Sequence, residues 1–355
     1  MRIAQVAPLH ESVPPKLYGG TERVVSYLTE ELVSMGHDVT LFASGDSLTS
    51  ASLDAPWPRA LRLDACTDER APHTLQLERV LQRASTFDII HYHVDTNHYP
   101  ISRRIETPHV TTLHGRLDLP HLQPCYTEFC DIPVVSISHA QRDPLPQANW
   151  AGTVHHGLPP DLHRFDPGPG KYFAFLGRIS PEKRLDRAIE IATRLHVPLR
   201  IAAKVDSADA DYFRTRIAKL LERPGVEYLG EIGERDKSAF LGGARALLFP
   251  VDWPEPFGLV MVEAMACGTP VVATRRGAVP ELIDEGVTGF CVDDLDEAVE
   301  AAARVGRIDR RGCREAFERR FTASRMARDY LGVYARTIEL SRRRGPNRRA
   351  TLAAE

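Results

Sequence analysis

The chain has 355 residues, 43% hydrophobic and 26% charged, with a formal net charge of −3. That size and balance exclude wholesale disorder and point to two α/β domains rather than one. The near-neutral charge lacks the basic face of a nucleic-acid binder, and no apolar run approaches the roughly 18 residues of a membrane span.

Short apolar runs alternate with amphipathic helices, the pattern of parallel sheets with helical crossovers. Met1-Arg2-Ile3 leads directly into a strand over Arg2 to Pro8, so no signal peptide is expected. A helix follows over Thr21 to Met35, with Val24, Val25, Leu28, Leu32 and Met35 on one face and Gly36 as its stop. His37 to Ala43, Phe87 to His93, His109 to Leu113 and Pro133 to Ile137 read as further strands. Gly157 to Pro160 and Asp166 to Gly170 are dense in residues that end regular structure, which places the domain linker there.

The alternation then restarts. Tyr172 to Leu176 reads as a strand and Pro181 to Leu195 as a helix with proline in its first turn. Strands over Leu199 to Ala203 and Val226 to Leu229 flank a helix near Asp209 to Leu221. Strands over Ala246 to Phe249 and Pro270 to Ala273 flank another from about Gly258 to Ala266. The expected organisation is a first Rossmann-like domain over 1–160, completed by a helix at 322–341. A second follows over 161–321, and then a basic tail at 342–355 that is expected to be disordered. The stripe Met326, Tyr330, Val333, Tyr334 and Ile338 makes one face of the last helix apolar and core-facing. Two doubly wound domains facing a central cleft would hold one substrate on each side, beyond the carboxyl ends of their strands. Cys66, Cys125, Cys130, Cys267, Cys291 and Cys313 form no C-x-x-C pair and read as the reduced thiols of a cytoplasmic protein.

Four constellations stand at strand ends. The first is Glu255-Pro256-Phe257-Gly258-Leu259-Val260-Met261-Val262-Glu263, which follows a strand and opens a helix. The amides from Phe257 to Leu259 would lie at a helix start, which suits phosphate, and Gly258 lets the backbone come close to a ligand. A solvated acid is the ordinary reading of either glutamate alone. Glu263, however, sits among Val260, Met261, Val262, Ala264 and Met265, where a carboxylate without a partner is costly. The second is Gly177-Arg178-Ile179-Ser180-Pro181-Glu182-Lys183, which puts two cations at a strand-to-helix turn where a diphosphate could be held. The third is Tyr18-Gly19-Gly20-Thr21-Glu22-Arg23. By itself it is a weak signal, because the loop from Leu9 is too long for the dinucleotide fingerprint. The fourth is His114 at the end of a strand, a position where a lone histidine is usually structural.

The pair Glu255 and Glu263, followed by Ala264-Met265-Ala266-Cys267-Gly268-Thr269-Pro270-Val271-Val272-Ala273, resembles the signature of retaining family-4 glycosyltransferases. The match runs on into Pro280-Glu281-Leu282-Ile283 and Gly286-Val287-Thr288-Gly289-Phe290. The resemblance is strong from about Gly177 to Phe290 and weaker from Met1 to Leu158. It implies the GT-B fold and transfer of a hexosyl group from a nucleotide diphosphate sugar, UDP-linked by expectation, to an unidentified hydroxyl acceptor. By the same resemblance Glu263 binds the donor ribose and Glu255 the sugar hydroxyls. The amides of Phe257, Gly258 and Leu259 help hold sugar and phosphate, and Arg178 and Lys183 take the pyrophosphate. Gly19 and Gly20 face the diphosphate and acceptor, with Pro14 to Tyr18 lining the acceptor side. His114 meets the sugar near its primary hydroxyl, and the turn at Gly230-Glu231-Ile232 meets the base. One departure stands at Arg275-Arg276-Gly277-Ala278, where the family more often has paired glycines, so that Ala278 is expected to make the loop less permissive.

Two cations at the leaving diphosphate would do the work of a metal ion, so no cofactor and no metal are expected. His91 and His93 share a strand face but have no third ligand at suitable spacing. Asp209-Ala210-Asp211 fits a metal-binding D-x-D pattern but lies on an expected surface helix and is assigned to solvent. The arginines at 342–344 and 348–349 would suit an anionic lipid surface, though a solvated tail is the simpler expectation. A sugar-nucleotide epimerase of the same fold would need no acceptor, and a non-catalytic binder would release no nucleotide. A dinucleotide oxidoreductase would carry the compact glycine fingerprint that is missing here.

Overall fold

The computed structural model describes residues 1–16, 19–64, 66 and 68–344, the side chain of Arg344 excepted. Tyr18, Leu17 and the tail beyond 344 therefore lie outside the described residues. The chain divides into two compact units. Met1–Ile137, Arg142–His155 and the chain from Ala323 on form the first; Ser138–Gln141 and His156–Thr322 form the second.

The first unit is a seven-stranded parallel sheet in the order β3-β2-β1-β4-β5-β6-β7. Its strands are β1 (Arg2–Val6), β2 (Asp38–Ser44), β3 (Ser52–Trp57), β4 (Ile89–Tyr92), β5 (His109–Thr112), β6 (Pro133–Ser136) and β7 (Asn149–Thr153). The crossovers carry α1 (Gly20–Ser34), α2 (Arg70–Arg83), α3 (Tyr99–Ser102) and α4 (Leu122–Glu128). The central strands are apolar and buried on both faces, as covered parallel sheets require: Ile3, Val6, Phe42, Ile89, Ile90 and Val110 are all fully buried. The chain's last helix, α12 (Ala323–Arg344), returns to this unit. Met326, Tyr330, Val333 and Tyr334 are buried on it and Ile338 is half-buried, so its apolar stripe does face the core.

The second unit is a six-stranded parallel sheet in the order β10-β9-β8-β11-β12-β13. Its strands are β8 (Tyr172–Arg178), β9 (Leu199–Lys204), β10 (Val226–Gly230), β11 (Ala244–Phe249), β12 (Val271–Thr274) and β13 (Gly289–Val292). The helices are α5 (Leu185–Leu195), α6 (Ala210–Tyr212), α7 (Glu234–Gly242), α8 (Leu259–Ala266), α9 (Val279–Leu282), α10 (Leu295–Arg304) and α11 (Arg310–Arg320). One core of Phe173, Phe175, Ile189, Ile201, Leu248 and their neighbours joins the sheet to α5 and α10. Arg310, at the start of α11, is also buried, its guanidinium donating to the carbonyls of Asp166, Gly242 and Ala244 and to Thr269.

Both sheets are doubly wound, and the fold is GT-B. Three local expectations need correction. The helix expected from Pro181 is a single 3-10 turn, Pro181–Lys183, then a break at Arg184 in the left-handed region (φ 52°), and then α5. The helix expected near Asp209 to Leu221 is a succession of short 3-10, α and π turns. Strands β3 and β7 were not expected at all. They are the two edges of the first sheet, only partly buried, and so lack the apolar run that marks the central strands.

Candidate functional site

In each sheet the winding reverses beside the first strand, between β1 and β4 in one unit and between β8 and β11 in the other. Ligands of doubly wound sheets sit beyond the carboxyl ends of the strands at that reversal. In the second unit, β8 ends in Arg178 and runs into the turn that carries Lys183, while β11 runs into the loop that carries Glu255.

That loop and turn are bound together. The amide of Asp252 donates to the carbonyl of Glu182 at 2.8 Å, and Arg184 bonds Asp252 at 2.8 Å. The result is a cage around one ammonium. Lys183 Nζ donates to Glu255 Oε2 and lies 4.9 Å from the ring centre of Trp253 and 5.3 Å from that of Phe249. Trp253 Nε1 donates to the same carboxylate oxygen at 3.0 Å. Glu255 is 7% exposed, so its charge is balanced by a specific partner rather than by water. Trp253 was not anticipated. Only its place two residues before Glu255 could have marked it.

Gly258 follows, in the left-handed region at φ 85°, and opens α8. The left-handed backbone is what calls for glycine here, since a side chain at this φ is strained whatever the space around it. Phe257 is buried with its ring 4.8 Å from His156, which anchors the loop just before the helix amides of Leu259 and Val260. The helix then carries Glu263 inward, 4% exposed. Its partner is Lys237 of α7, whose Nζ lies 2.7 Å from Glu263 and 3.2 Å from Glu234. Sequence reasoning missed Lys237 too, since a lysine in the first turns of a helix carries no distinguishing signal. Each of the two glutamates of the signature thus holds its own ammonium. Glu263, Glu234 and His163 approach one another closely enough to hold an ion, but Lys237 already supplies a positive charge to both carboxylates.

Arg178 lies otherwise than expected. Its guanidinium is engaged by Glu182 at 2.6 Å and by Asp206 and Asp209 at 3.5 Å each. The assignment of Asp209 to solvent is therefore wrong: it is half-buried and faces Arg178, while Asp211 is exposed and pairs with Arg214. Glu231 is exposed and Ile232 half-buried in the short loop between β10 and α7, and neither meets the Lys183 cage through a described hydrogen bond.

The loop after β12 closes over Glu255. Ala278 N donates to Glu255 O at 2.8 Å, and Gly277 sits at φ 55° with its α-carbon pressed against that residue. Ala278 does not stiffen the loop as expected. Its φ is −72°, which any residue adopts, and the glycine that the turn needs is the one retained.

In the first unit, Gly19 precedes α1 and is buried, with no room for a Cβ, which would lie 2.8 Å from Pro15 Cβ. Gly20 is exposed at the helix start. Glu22 in the first turn is 5% exposed, and burial pushes its carboxyl above the ordinary range. His114 follows β5, and burial lowers it to about 3, so the imidazole is neutral. His91 and His93 do not point at a metal: their ring nitrogens bond Tyr334 and Thr112, and His114 and Gln5, respectively.

Two family models match. Residues 164–309 match "Glycosyl transferases group 1" and residues 18–189 match "Glycosyltransferase Family 4". The chain belongs to glycosyltransferase family 4. The transferase is 26% identical over 353 aligned residues to alpha-maltose-1-phosphate synthase of Mycobacterium tuberculosis, covering 85% of this chain and 88% of that one. Against an uncharacterized 41.2 kDa protein in the cps region of Klebsiella pneumoniae it is 28% identical over 166 residues and spans 45% of that protein's length. Among solved structures it superposes on AviGT4, a glycosyltransferase involved in avilamycin A biosynthesis, with a TM-score of 0.73 and 24% identity, covering 96% of this chain and 98% of that one. Anabaena HepE, solved with UDP and glucose, gives a TM-score of 0.72 at 20% identity over 95% and 100% of the two chains. Among the described residues, no helix of the transferase is long and apolar enough to cross a membrane.

Proposed function

We propose that the transferase moves a hexosyl group from a nucleotide diphosphate sugar, UDP-linked, to a hydroxyl acceptor with retention of anomeric configuration and without a metal. The observation that carries this is the Lys183–Glu255 pair at the reversal of the second sheet, set against the N-terminus of α8. An anion at that helix start meets unpaired helix amides and the positive end of the helix. Lys183, bonded to Glu255 in the loop that leads into α8, can shift from that carboxylate to phosphate, leaving Glu255 to accept from the sugar hydroxyls. Arg178 joins by giving up its two 3.5 Å contacts, which exceed hydrogen-bond length, while Glu182 keeps the fork oriented. Glu263 accepts from the ribose hydroxyls and shares its charge with Lys237.

In the reaction, the bond from the anomeric carbon to the phosphate oxygen breaks with its electron pair going to phosphate. Lys183 and Arg178 stabilise the growing charge, the role a metal plays in other transferases. The acceptor oxygen attacks the same face, and its proton passes to the departing phosphate oxygen. The structure of Anabaena HepE with UDP and glucose supports UDP as the nucleotide.

The test is calorimetric binding of UDP, GDP and ADP, followed by a screen of nucleotide sugars for diphosphate release in the presence of EDTA. Nuclear magnetic resonance of the product then reads its anomeric configuration. Release that stops with EDTA and returns with Mg²⁺ defeats metal independence, and an inverted product defeats retention. Tighter binding of GDP or ADP than of UDP defeats the nucleotide assignment.

A further inference from the structure

Seven side chains of the first unit are joined in one line of hydrogen bonds. Tyr330 Oη meets Thr112 Oγ1 at 2.9 Å, and Thr112 Oγ1 meets His91 Nε2 at 2.7 Å. His91 Nδ1 meets Tyr334 Oη at 2.7 Å, and Tyr334 Oη accepts from Gln5 Nε2 at 3.0 Å. Gln5 Oε1 meets His93 Nε2 at 2.9 Å, and His93 Nδ1 meets His114 Nε2 at 2.8 Å. The line joins the carboxyl ends of β1, β4 and β5 to α12. Every member except His114 is at most 2% exposed, so the line runs through the interior of the unit.

The chemistry of the members makes the line directional. A neutral imidazole has one donor and one acceptor nitrogen, a hydroxyl has one proton, and an amide has one donating and one accepting end. Burial keeps His91 and His114 uncharged. With the Gln5 nitrogen toward Tyr334, the hydroxyl of Tyr334 must donate to His91 Nδ1, and His91 Nε2–H then donates to Thr112. On the other side Gln5 Oε1 accepts from His93 Nε2–H. With His93 neutral, its Nδ1 is then an acceptor, and His114 Nε2–H donates to it. The nitrogen left with a lone pair on His114 is Nδ1. Half a turn of the Gln5 amide would reverse every link at once and put the proton on His114 Nδ1. A buried amide thus sets the tautomer of a histidine two links away.

We infer that Gln5 and Tyr334 are positioning residues: through His93 they fix which ring nitrogen of His114 carries the proton, and so whether His114 accepts from or donates to what it meets. The part of this that concerns turnover rests on the sugar contact that the family resemblance implies for His114; the tautomer itself does not.

The experiment compares Tyr334→Phe with Tyr330→Phe. Both remove one buried hydroxyl from the same helix, but only the first cuts the line between Gln5 and His91. Nitrogen-15 spectra of histidine-labelled protein, with His114→Gln for assignment, read the tautomer directly. The unmutated protein should show His114 protonated on Nε2 alone, Tyr330→Phe the same, and Tyr334→Phe a mixture. In transfer assays Tyr334→Phe should lose about tenfold or more in kcat with KM for the nucleotide sugar little changed, and Tyr330→Phe should lose little. Gln5→Met cuts the line at a second link and stands in should Tyr334→Phe not fold. A single unchanged His114 tautomer in both Tyr334→Phe and Gln5→Met overturns the inference. If the tautomer shifts but His114→Gln transfers at full rate, the positioning holds and the sugar contact of His114 falls.

Discussion

Replacing Gly277 by alanine tests how closely the loop after β12 governs Glu255. The residue sits at φ 55°, and a Cβ built on it would lie 2.3 Å from the carbonyl oxygen and 2.5 Å from the nitrogen of Glu255. Ordinary contact begins at 3.4 Å, so one backbone or the other must move by about 1.1 Å, and neither is a flexible side-chain tip. A displacement of about 1 Å at a reacting centre costs on the order of 10²-fold in rate, and the left-handed conformation adds roughly 1 kcal/mol of strain. Gly277→Ala should therefore melt a few degrees lower yet remain folded, and its kcat/KM for nucleotide-sugar turnover should fall about 100-fold. Ala278→Gly is the control: it keeps the 2.8 Å bond from its amide to Glu255 and should cost at most about 1 kcal/mol of stability, with turnover near normal. The measurements are calorimetric melting and steady-state release of nucleotide diphosphate. A folded Gly277→Ala protein with kcat/KM within threefold of the original would refute the claim that this glycine sets the position of Glu255.

Lys183→Met removes the ammonium but keeps much of the stem, and should lower kcat by about 10²–10³-fold, the scale of one lost donor at a developing anion; full turnover in that variant would remove Lys183 from the diphosphate. Glu263→Gln keeps the shape but loses the charge shared with Lys237, and should raise the calorimetric Kd for nucleotide about tenfold while kcat changes less. Buried His91, His98 and His114 all have pKa values below 6.5, so on acidification the unfolded chain takes up their protons first. Stability should be fully present above about pH 6.5 and fall as pH drops toward 3, with a slope of up to about 1.4 kcal/mol per pH unit for each histidine. Urea titrations across that window should show a smaller slope for His91→Gln, and an equal slope would contradict the assignment.

The second unit was largely readable because its chemistry is local. Glu255, Gly258 and Glu263 fall within one loop and helix, and Lys183 lies in the turn after a strand whose apolar run is unmistakable. What the sequence hid depends on contacts far apart in the chain. Nothing near Lys237 announces Glu263, and nothing near Gln5 announces Tyr334, 329 positions away. The edge strands β3 and β7 escaped because half-exposed backbone needs no apolar run. The break at Arg184 escaped because a left-handed arginine follows no local propensity. It is held by Asp186 and Asp252, and the second of these comes from another loop. Arg178 could be placed at its turn but not given its carboxylates, since Asp206 and Asp209 arrive from the segment after β9.

The return of α12 to the first unit has a consequence for biosynthesis. Gln5, His91 and Thr112 leave the ribosome more than two hundred residues ahead of the tyrosines that complete them. Until then a nascent chain carries those polar groups without their native partners, a costly state for a packed core. The part encoded in the middle has no such wait, so the order of maturation should run against the order of translation. Chains stalled before residue 323 should then offer proteases an unfinished amino-terminal half beside a resistant central one.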